Sequence, residues 1–278
     1  MLLVAKPAGP TSHDVVDVVR RALHTSRVGH LGTLDPFAEG LLVVVVGRAT
    51  RLSAFAAGWR KVYTGVIRLG TVTTTDDGTG TVVLESEAWR ALHQSHVADV
   101  LARFRGMTLQ RPPAHSAVHV DGERAYRRAR RGEAVHLPER PVEIEELVLE
   151  AYAPPDVRVR ATVGGGTYVR SLARDIGEAL GCGAHLAALQ RTAVGPFRLE
   201  QAKRAEDVTT ADLRPAGLLV ADLPSRSLGG DEREAVVHGR PLTAHGEAPR
   251  VALFADGELV AVGEREGDML RPRVVLSD

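Results

Sequence analysis

The chain has 278 residues, 44% hydrophobic and 25% charged, with 35 basic residues balancing 35 acidic ones. This is the make-up of an ordinary folded protein, long enough for one large domain or two unequal ones. No apolar window reaches the ~18 residues of a membrane span, the start lacks the apolar core of a signal peptide, and the single cysteine, Cys182, excludes an internal disulfide framework or a multi-cysteine zinc site. A cytoplasmic location is the expectation.

The zero net charge conceals two biases. Lysine occurs only at positions 6, 61 and 203, so nearly all the positive charge is arginine. The planar fork of arginine suits phosphate and base contacts. Eight arginines also fall between residues 101 and 131, against Asp121 and Glu123. For nucleic acid a local basic patch matters more than the global sum.

In chain order, the first residues read as a strand. The turn-rich Lys6-Pro7-Ala8-Gly9-Pro10-Thr11-Ser12 then ends in a helix N-cap. A helix is expected over 13–23, with Val15, Val16, Val18, Val19 and Leu23 on its apolar face. A loop over 26–40 leads into Leu41-Leu42-Val43-Val44-Val45-Val46, which reads as a buried strand. A short helix is expected over 49–57, a strand over 61–70, a loop with Asp76 and Asp77, a strand over 81–84 and a helix over 96–104.

Residues 106–140 carry few apolar groups and read as an arm projecting from the body. Within it a strand is expected over 117–120, a turn at Asp121-Gly122, and a basic helix over 123–131 ended by Gly132. Strands over 142–152 and 157–163 follow, then Gly164-Gly165-Gly166-Thr167 and a helix to Leu180 capped by Gly181. Residues 184–197 read as extended or mixed. The Pro-, Ser- and Gly-rich stretch 213–230 reads as a domain boundary. Short strands over 250–255, 258–263 and 271–276, with a hairpin turn at Asp256-Gly257, suggest a small β-barrel.

Several chemistries find no support. His115 and His119 are spaced i, i+4, but no carboxylate completes a metal site with them. The glycine run at 164–166 lacks the Gly-Lys-Ser/Thr ending of a P-loop, and no Gly-x-Ser-x-Gly elbow occurs. What remains is Asp35, set between glycines 29, 32 and 40 and followed by Pro36, which biases it away from helix. Taken alone, an Asp before Pro is most often only a turn residue.

Five segments in order change that reading. Lys6-Pro7 with Gly9 and Ser12 comes first, and Gly29-His30-Leu31-Gly32-Thr33-Leu34-Asp35-Pro36 continuing to Gly40 is the second. The third is Lys61-Val62-Tyr63 with Leu69-Gly70 and Asp77, and the fourth runs from Gln110-Arg111-Pro112-Pro113 through Ser116, Gly122, Tyr126 and Gly132 to Arg140. The last is Gly166-Thr167-Tyr168-Val169-Arg170-Ser171-Leu172-Ala173 with Cys182-Gly183-Ala184-His185-Leu186. Together they resemble the TruB family of tRNA pseudouridine synthases along nearly the whole chain. Leu31, Phe37, Glu39, Thr74 and His115 depart from the family's usual residues.

The resemblance implies an α+β pseudouridine synthase fold: a large mixed, mainly antiparallel sheet with flanking helices, plus a small C-terminal PUA-like β-barrel. It implies a catalytic domain over 1–225, with an RNA-clamping insertion at about 106–140, and an RNA-binding domain over 226–278. The reaction would be isomerisation of uridine 55 in the tRNA T-loop to pseudouridine, with no cofactor and no metal.

Asp35 would be the nucleophile and Arg170 its charge partner, since a guanidinium favours charge on a neighbouring carboxylate. Tyr63 would stack on the flipped uracil. Tyr168 and Leu189 would line the pocket, His30 would fill the gap left by the base, and Lys6 would orient the loop. Arg111, Arg124, Arg127, Arg128, Arg130 and Arg131 would clamp phosphates of the T-stem-loop. The chain is expected to act as a monomer without a protein partner. The alternatives are a non-catalytic RNA-binding or RNA-folding protein on the same scaffold, and a guide-RNA-dependent synthase, against which the 106–140 insertion argues.

Overall fold

The computed structural model describes residues 1–116, 118–120, 122–133, 135 and 137–276. Strand β1 (Leu2–Lys6) leads to helix α1 (Ser12–Ala22). The helix starts one residue earlier than its apolar pattern suggests because Thr11 caps it: its hydroxyl accepts the Asp14 N–H, and the Asp14 carboxylate accepts the Thr11 N–H. Val15, Val16 and Val19 form its buried face.

Next come β2 (Val28–His30) and β3 (Glu39–Val46). Side chains 41–45 are fully buried because β3 is covered on both faces. Leu41, Val43 and Val45 pack into one cluster, and Leu42 and Val44 into another. An uninterrupted apolar run is what a doubly covered strand requires, and each such side chain contributes about 1.5–3 kcal/mol. The segment expected as a helix over 49–57 is a 3₁₀ turn, Gly47–Leu52, followed by further turns. Only Ala49, Leu52 and Ala56 are buried there, too few for a longer amphipathic face.

The central strands are β4 (Lys61–Leu69), then the hairpin β5 (Thr71–Thr73) and β6 (Val82–Glu85). Helix α2 (Gln94–Arg103) follows, and then β7 (Gly106–Gln110). β7 belongs to the main sheet rather than to a projecting arm, which corrects the expectation for residues 106–110. Met107 and Leu109 face solvent, so no apolar face marked it as sheet; only Gln110 turns inward.

The arm therefore covers residues 111–139. It holds the small hairpin β8 (His119–Val120) and β9 (Glu123–Arg124), and helix α3 (Ala125–Arg130), shorter than the 123–131 expected because residues 123–124 pair as strand. Strands β10 (Arg140–Ala153) and β11 (Asp156–Val163), helix α4 (Val169–Ala179) and strand β12 (Ala184–Val194) complete the larger half. The edge strands β13 (Phe197–Arg198) and β14 (Lys203–Arg204) close it.

Among the described residues ten strands form one mixed sheet, in the order β14-β1-β3-β12-β4-β11-β10-β7, with β2 on β3 and β13 on β12. Most pairs are antiparallel; β1 with β14 and β12 with β3 are parallel. The stretch 213–230 is less loop-like than its composition suggests. It contains a 3₁₀ turn, Ala216–Val220, with Leu219 and Val220 buried, and strand β15 (Ser225–Ser227). Helix α5 (Gly230–Val237) had no apolar stripe to announce it, since only Val236 is buried.

With β16 (Leu242–Thr243), β17 (Arg250–Ala255), β18 (Glu258–Glu266) and β19 (Met269–Val275), β15 forms a second sheet of five strands among the described residues. It is joined to the body. Ala252 and Val262 share a cluster with Leu41, Val43, Val45, Leu219 and Val220.

Candidate active site

Asp35 lies on the loop between β2 and β3 and meets Arg170 from the first turn of α4. The guanidinium grips the carboxylate with two parallel bonds, Nε to Oδ2 at 2.9 Å and Nη2 to Oδ1 at 3.1 Å. This fork-to-fork geometry fixes direction as well as distance. Arg170 is almost fully buried, whereas the Asp35 side chain keeps 30% of its surface. One carboxylate edge is thus tied down while the site stays open to a substrate.

The remaining donors of Arg170 are also used. Nη1 donates to Thr75 O at 3.0 Å and Nη2 to His115 O at 3.0 Å. Asp77 Oδ2 stands 3.6 Å from Nη1. Buried Asp77 is itself held, with Oδ1 accepting from the hydroxyls of Thr75 and Thr79 and from Thr79 N–H. Arg170 therefore spans two carboxylates, which holds it at a fixed distance from both.

The loop is pinned along its backbone. Arg191, with no exposed surface, donates to the carbonyls of Gly32 at 3.1 Å, Thr33 at 3.2 Å and Leu41 at 2.8 Å. Ser12 Oγ donates to Leu34 O and accepts Leu34 N–H, both at 2.9 Å. Lys6 Nζ donates to Pro36 O at 3.2 Å and Ala38 O at 2.6 Å, and Gly9 N–H also reaches Pro36 O. Hydrogen bonds to charged groups are worth about 1.5–3 kcal/mol each. Anchors on residues 32, 33, 34, 36 and 38 leave residue 35 little freedom.

Gly40 shows how tightly the strands meet below the loop. Its φ is +115°, and a Cβ there would lie 2.3 Å from Arg191 O, so only glycine fits. Burial pushes the ammonium groups of Lys6 and Lys61 down to about 8. Burial, then Arg191, also lowers the pKa of His30 on β2; its Nδ1 has no hydrogen-bond partner among the described residues.

Residues 20–169 match the N-terminal domain of the TruB family pseudouridylate synthases. Residues 170–221 match the C-terminal domain of tRNA pseudouridylate synthase B, and 223–277 the C-terminal domain of tRNA pseudouridine synthase II. The chain belongs to the TruB family. The tRNA pseudouridine synthase B of Thermobifida fusca is 45% identical, over 100% of this chain and 98% of its own. That of an Arthrobacter species is 41% identical, over 100% and 96%. A solved Cbf5-Nop10-Gar1 complex contains a chain of the same fold, with TM-score 0.75 and 27% identity over 99% of this chain and 84% of that one.

Around this TruB-family aspartate, the structure brings the other expected residues to different depths. Tyr63 on β4 and Leu189 on β12 are buried in one cluster with Leu34, Ala38 and Val169, which flank the Asp35–Arg170 pair in sequence. Tyr168 caps α4 and is half-buried, with the Arg140 guanidinium 5.0 Å from its ring centroid.

The arginines expected to clamp phosphates are not all unopposed. Arg111 pairs with Glu139, Arg128 with Glu133, and Arg131 with Glu123 and Glu133. Arg124 and Arg127 are exposed, and the side chain of Arg130 lies outside the described residues. Among the described residues no cluster could hold a metal ion.

Sequence reasoning missed Arg191 and Gln110. Both hold backbone groups rather than side chains, so no partner motif points to them. The register of β12 carries a signal for Arg191. It sits two residues beyond Leu189, on the inward face between Leu189 and Ala193, where a strand should place an apolar residue. A lone inward arginine must find acceptors.

Proposed function

We propose that this chain isomerises uridine 55 in the T-loop of tRNA to pseudouridine. The C1′–N1 bond breaks, a C1′–C5 bond forms, the hydrogen leaves C5 and a proton ends on N1. The product is an isomer of the substrate. Asp35 acts as the nucleophile, forming a covalent bond to the flipped nucleoside and leaving it again. The observation that carries this reading is the pairing of Asp35 with a buried, fully engaged Arg170 on a loop anchored at nearly every residue. Holding a reacting group in place supplies much of an enzyme's advantage.

In the same reading Tyr63 stacks on the extruded uracil, which is worth about 1–3 kcal/mol per base. Leu189 and Tyr168 bound the pocket, His30 fills the gap left in the RNA, and Lys6 orients the loop. Arg111, Arg124, Arg127, Arg128, Arg130 and Arg131 hold the backbone of the T-stem-loop. Residues 1–225 are the catalytic domain and 226–278 the RNA-holding one. The chain acts as a monomer in the cytoplasm, with neither guide RNA nor protein partner. Among the described residues no helix is long and apolar enough to cross a membrane.

The test uses the purified chain alone and an unmodified T-stem-loop transcript tritiated at uridine C5. Tritium should pass to water with the wild type. It should not with Asp35→Asn, which should still bind the RNA. Release by Asp35→Asn, or none by the wild type without a guide RNA, would overturn the assignment.

A further inference from the structure

The arm and the pocket tyrosine are tied together at the roots of the arm. Gln110 ends β7, Arg140 begins β10, and the two are directly opposite each other in the antiparallel pair. Everything between them is the arm, and both root residues turn to Tyr168. Gln110 is 2% exposed although it lies on an edge strand. Its amide spans the tyrosine backbone: Nε2 donates to Tyr168 O at 3.0 Å, and Oε1 accepts Tyr168 N–H at 2.8 Å.

Arg140 donates to Gly166 O and lays its guanidinium against the Tyr168 ring, 5.0 Å from the centroid. A carboxamide is suited to this task because it offers one donor and one acceptor to the same residue; a carboxylate has no donor and an alkyl chain has neither. A guanidinium against the ring is attracted to its π-face. With one face of the ring so occupied, Tyr168 meets a base with its other face or its hydroxyl.

The stitching continues along α4. Arg111 O accepts from Ser171 Oγ at 2.8 Å and Arg174 Nη2 at 2.9 Å, next to the Arg170–His115 bond already described. Tyr168 begins α4 without a side-chain cap of its own, so its placement depends on these contacts from the arm's roots.

We propose that Gln110 and Arg140 are positioning residues that set Tyr168 in the uracil pocket, making the base of the arm part of the frame of the active site. This rests on the reading of Tyr168 as a pocket residue. The two act on turnover through the tyrosine and do not serve as phosphate ligands.

Four variants test this: Gln110→Leu, Gln110→Glu, Arg140→Met and Arg140→Lys, each checked by thermal melting. Under single turnover at saturating tRNA transcript, Arg140→Met and Gln110→Leu should lower the rate about tenfold or more, as a misplaced group does. RNA affinity should stay within about twofold, because no ligand of the RNA has been removed. Arg140→Lys and Gln110→Glu, which each keep part of the contact set, should recover part of the rate.

A second readout needs no activity. The chain has four tyrosines, so labelling with 3-fluorotyrosine gives four fluorine signals, and Tyr168→Phe identifies the one for position 168. That signal should move in Arg140→Met and Gln110→Leu while the other three hold. An unmoved Tyr168 signal would overturn the proposal, and so would a loss confined to RNA affinity, which would make Arg140 a phosphate ligand. If the wild type formed no pseudouridine, the functional reading would fall while the fluorine signal still decided the placement of Tyr168. If Gln110→Leu failed to fold, the half-buried Arg140 alone would carry the test.

Discussion

The loop that carries Asp35 and the arm that carries the arginines use positive charge in opposite ways. Around the loop, Lys6, Arg170 and Arg191 are buried and directed at fixed acceptors, mostly backbone carbonyls. In the arm, Arg111, Arg128 and Arg131 lie nearer the surface against Glu139, Glu133 and Glu123. Exposed pairs of this kind are worth about 0–1 kcal/mol, so phosphates can replace the glutamates at little cost. Buried ones cannot be rearranged so cheaply. A reacting carboxylate needs the first arrangement, and a grip on a folded RNA needs the second.

The largest effect expected within this contrast is at Arg170. Arg170→Leu leaves Asp35 and Asp77 without their shared cation. Breaking a buried pair costs about 3–5 kcal/mol, which a denaturant melt should show alongside loss of product. A variant that melts like the wild type would mean that the pair is not a rigid element of the loop.

Arg191→Met comes next. It strips the carbonyls of Gly32, Thr33 and Leu41 of their donor, at about 1–3 kcal/mol for the buried Leu41 carbonyl and less for exposed Gly32 and Thr33, which water can reach. Turnover should fall on the order of a hundredfold if the loop shifts by an ångström, with RNA affinity little changed. Wild-type turnover in a folded Arg191→Met would show that the carbonyl anchors do not set the position of Asp35.

Lys6 makes the contrast depend on pH. Burial lowers its ammonium from 10.5 to about 8. Between those values the unfolded chain keeps the proton and the folded chain gives it up, so the cost of burying the charge is relieved as pH rises and stability from this group is not lost. Activity should move the other way. Above about pH 8 the amine loses its charge and one donor, weakening the anchors on Pro36 and Ala38. Turnover should therefore fall where the contribution of Lys6 to stability does not, and Lys6→Arg should shift that fall to higher pH. Lys61 titrates in the same range, so the fall should persist in Lys61→Met. A melting temperature that dropped together with turnover would point to partial unfolding instead.

The smallest effect per residue belongs to the arm. Replacing Arg124, Arg127 and Arg131 by Ala should weaken RNA binding and flatten the slope of log K against log salt by about 2–3, at roughly 0.7–0.9 for each phosphate released. The rate at saturating RNA should hold. A changed rate would mean that these side chains reach the chemistry, and the distinction between grip and site would fail.

What could be read from the chain follows the same division. Strand β3 was visible because a doubly buried strand must be apolar throughout, and β11 because Val157, Val159, Ala161 and Val163 face one side. The Asp35–Arg170 pair was visible because both members sit in recognisable segments. Arg191 and Gln110 were not. Their acceptors are backbone groups, 158 residues away for Arg191 and Thr33, and 58 for Gln110 and Tyr168. Every residue type presents the same backbone groups, so nothing in the composition names the partner. The glutamates at 133 and 139 lie just past the basic run, which made the arm look more cationic than its pairing leaves it.

One feature of the fold reaches furthest. Leu41, Val43 and Val45 lie on the strand that leaves the Asp35 loop, and on their far side they share a core with Leu219, Val220, Ala252 and Val262. The C-terminal sheet thus has no hinge of its own: it is bolted to the back of the strand that follows the aspartate's loop. The Asp35 loop and the second sheet are therefore parts of one solid piece, like the jaws of a fixed-gap caliper. Such a tool is set by its dimensions, and a chain cut short at residue 225 would keep Leu219 and Val220 but lose Ala252 and Val262 from the core behind that strand.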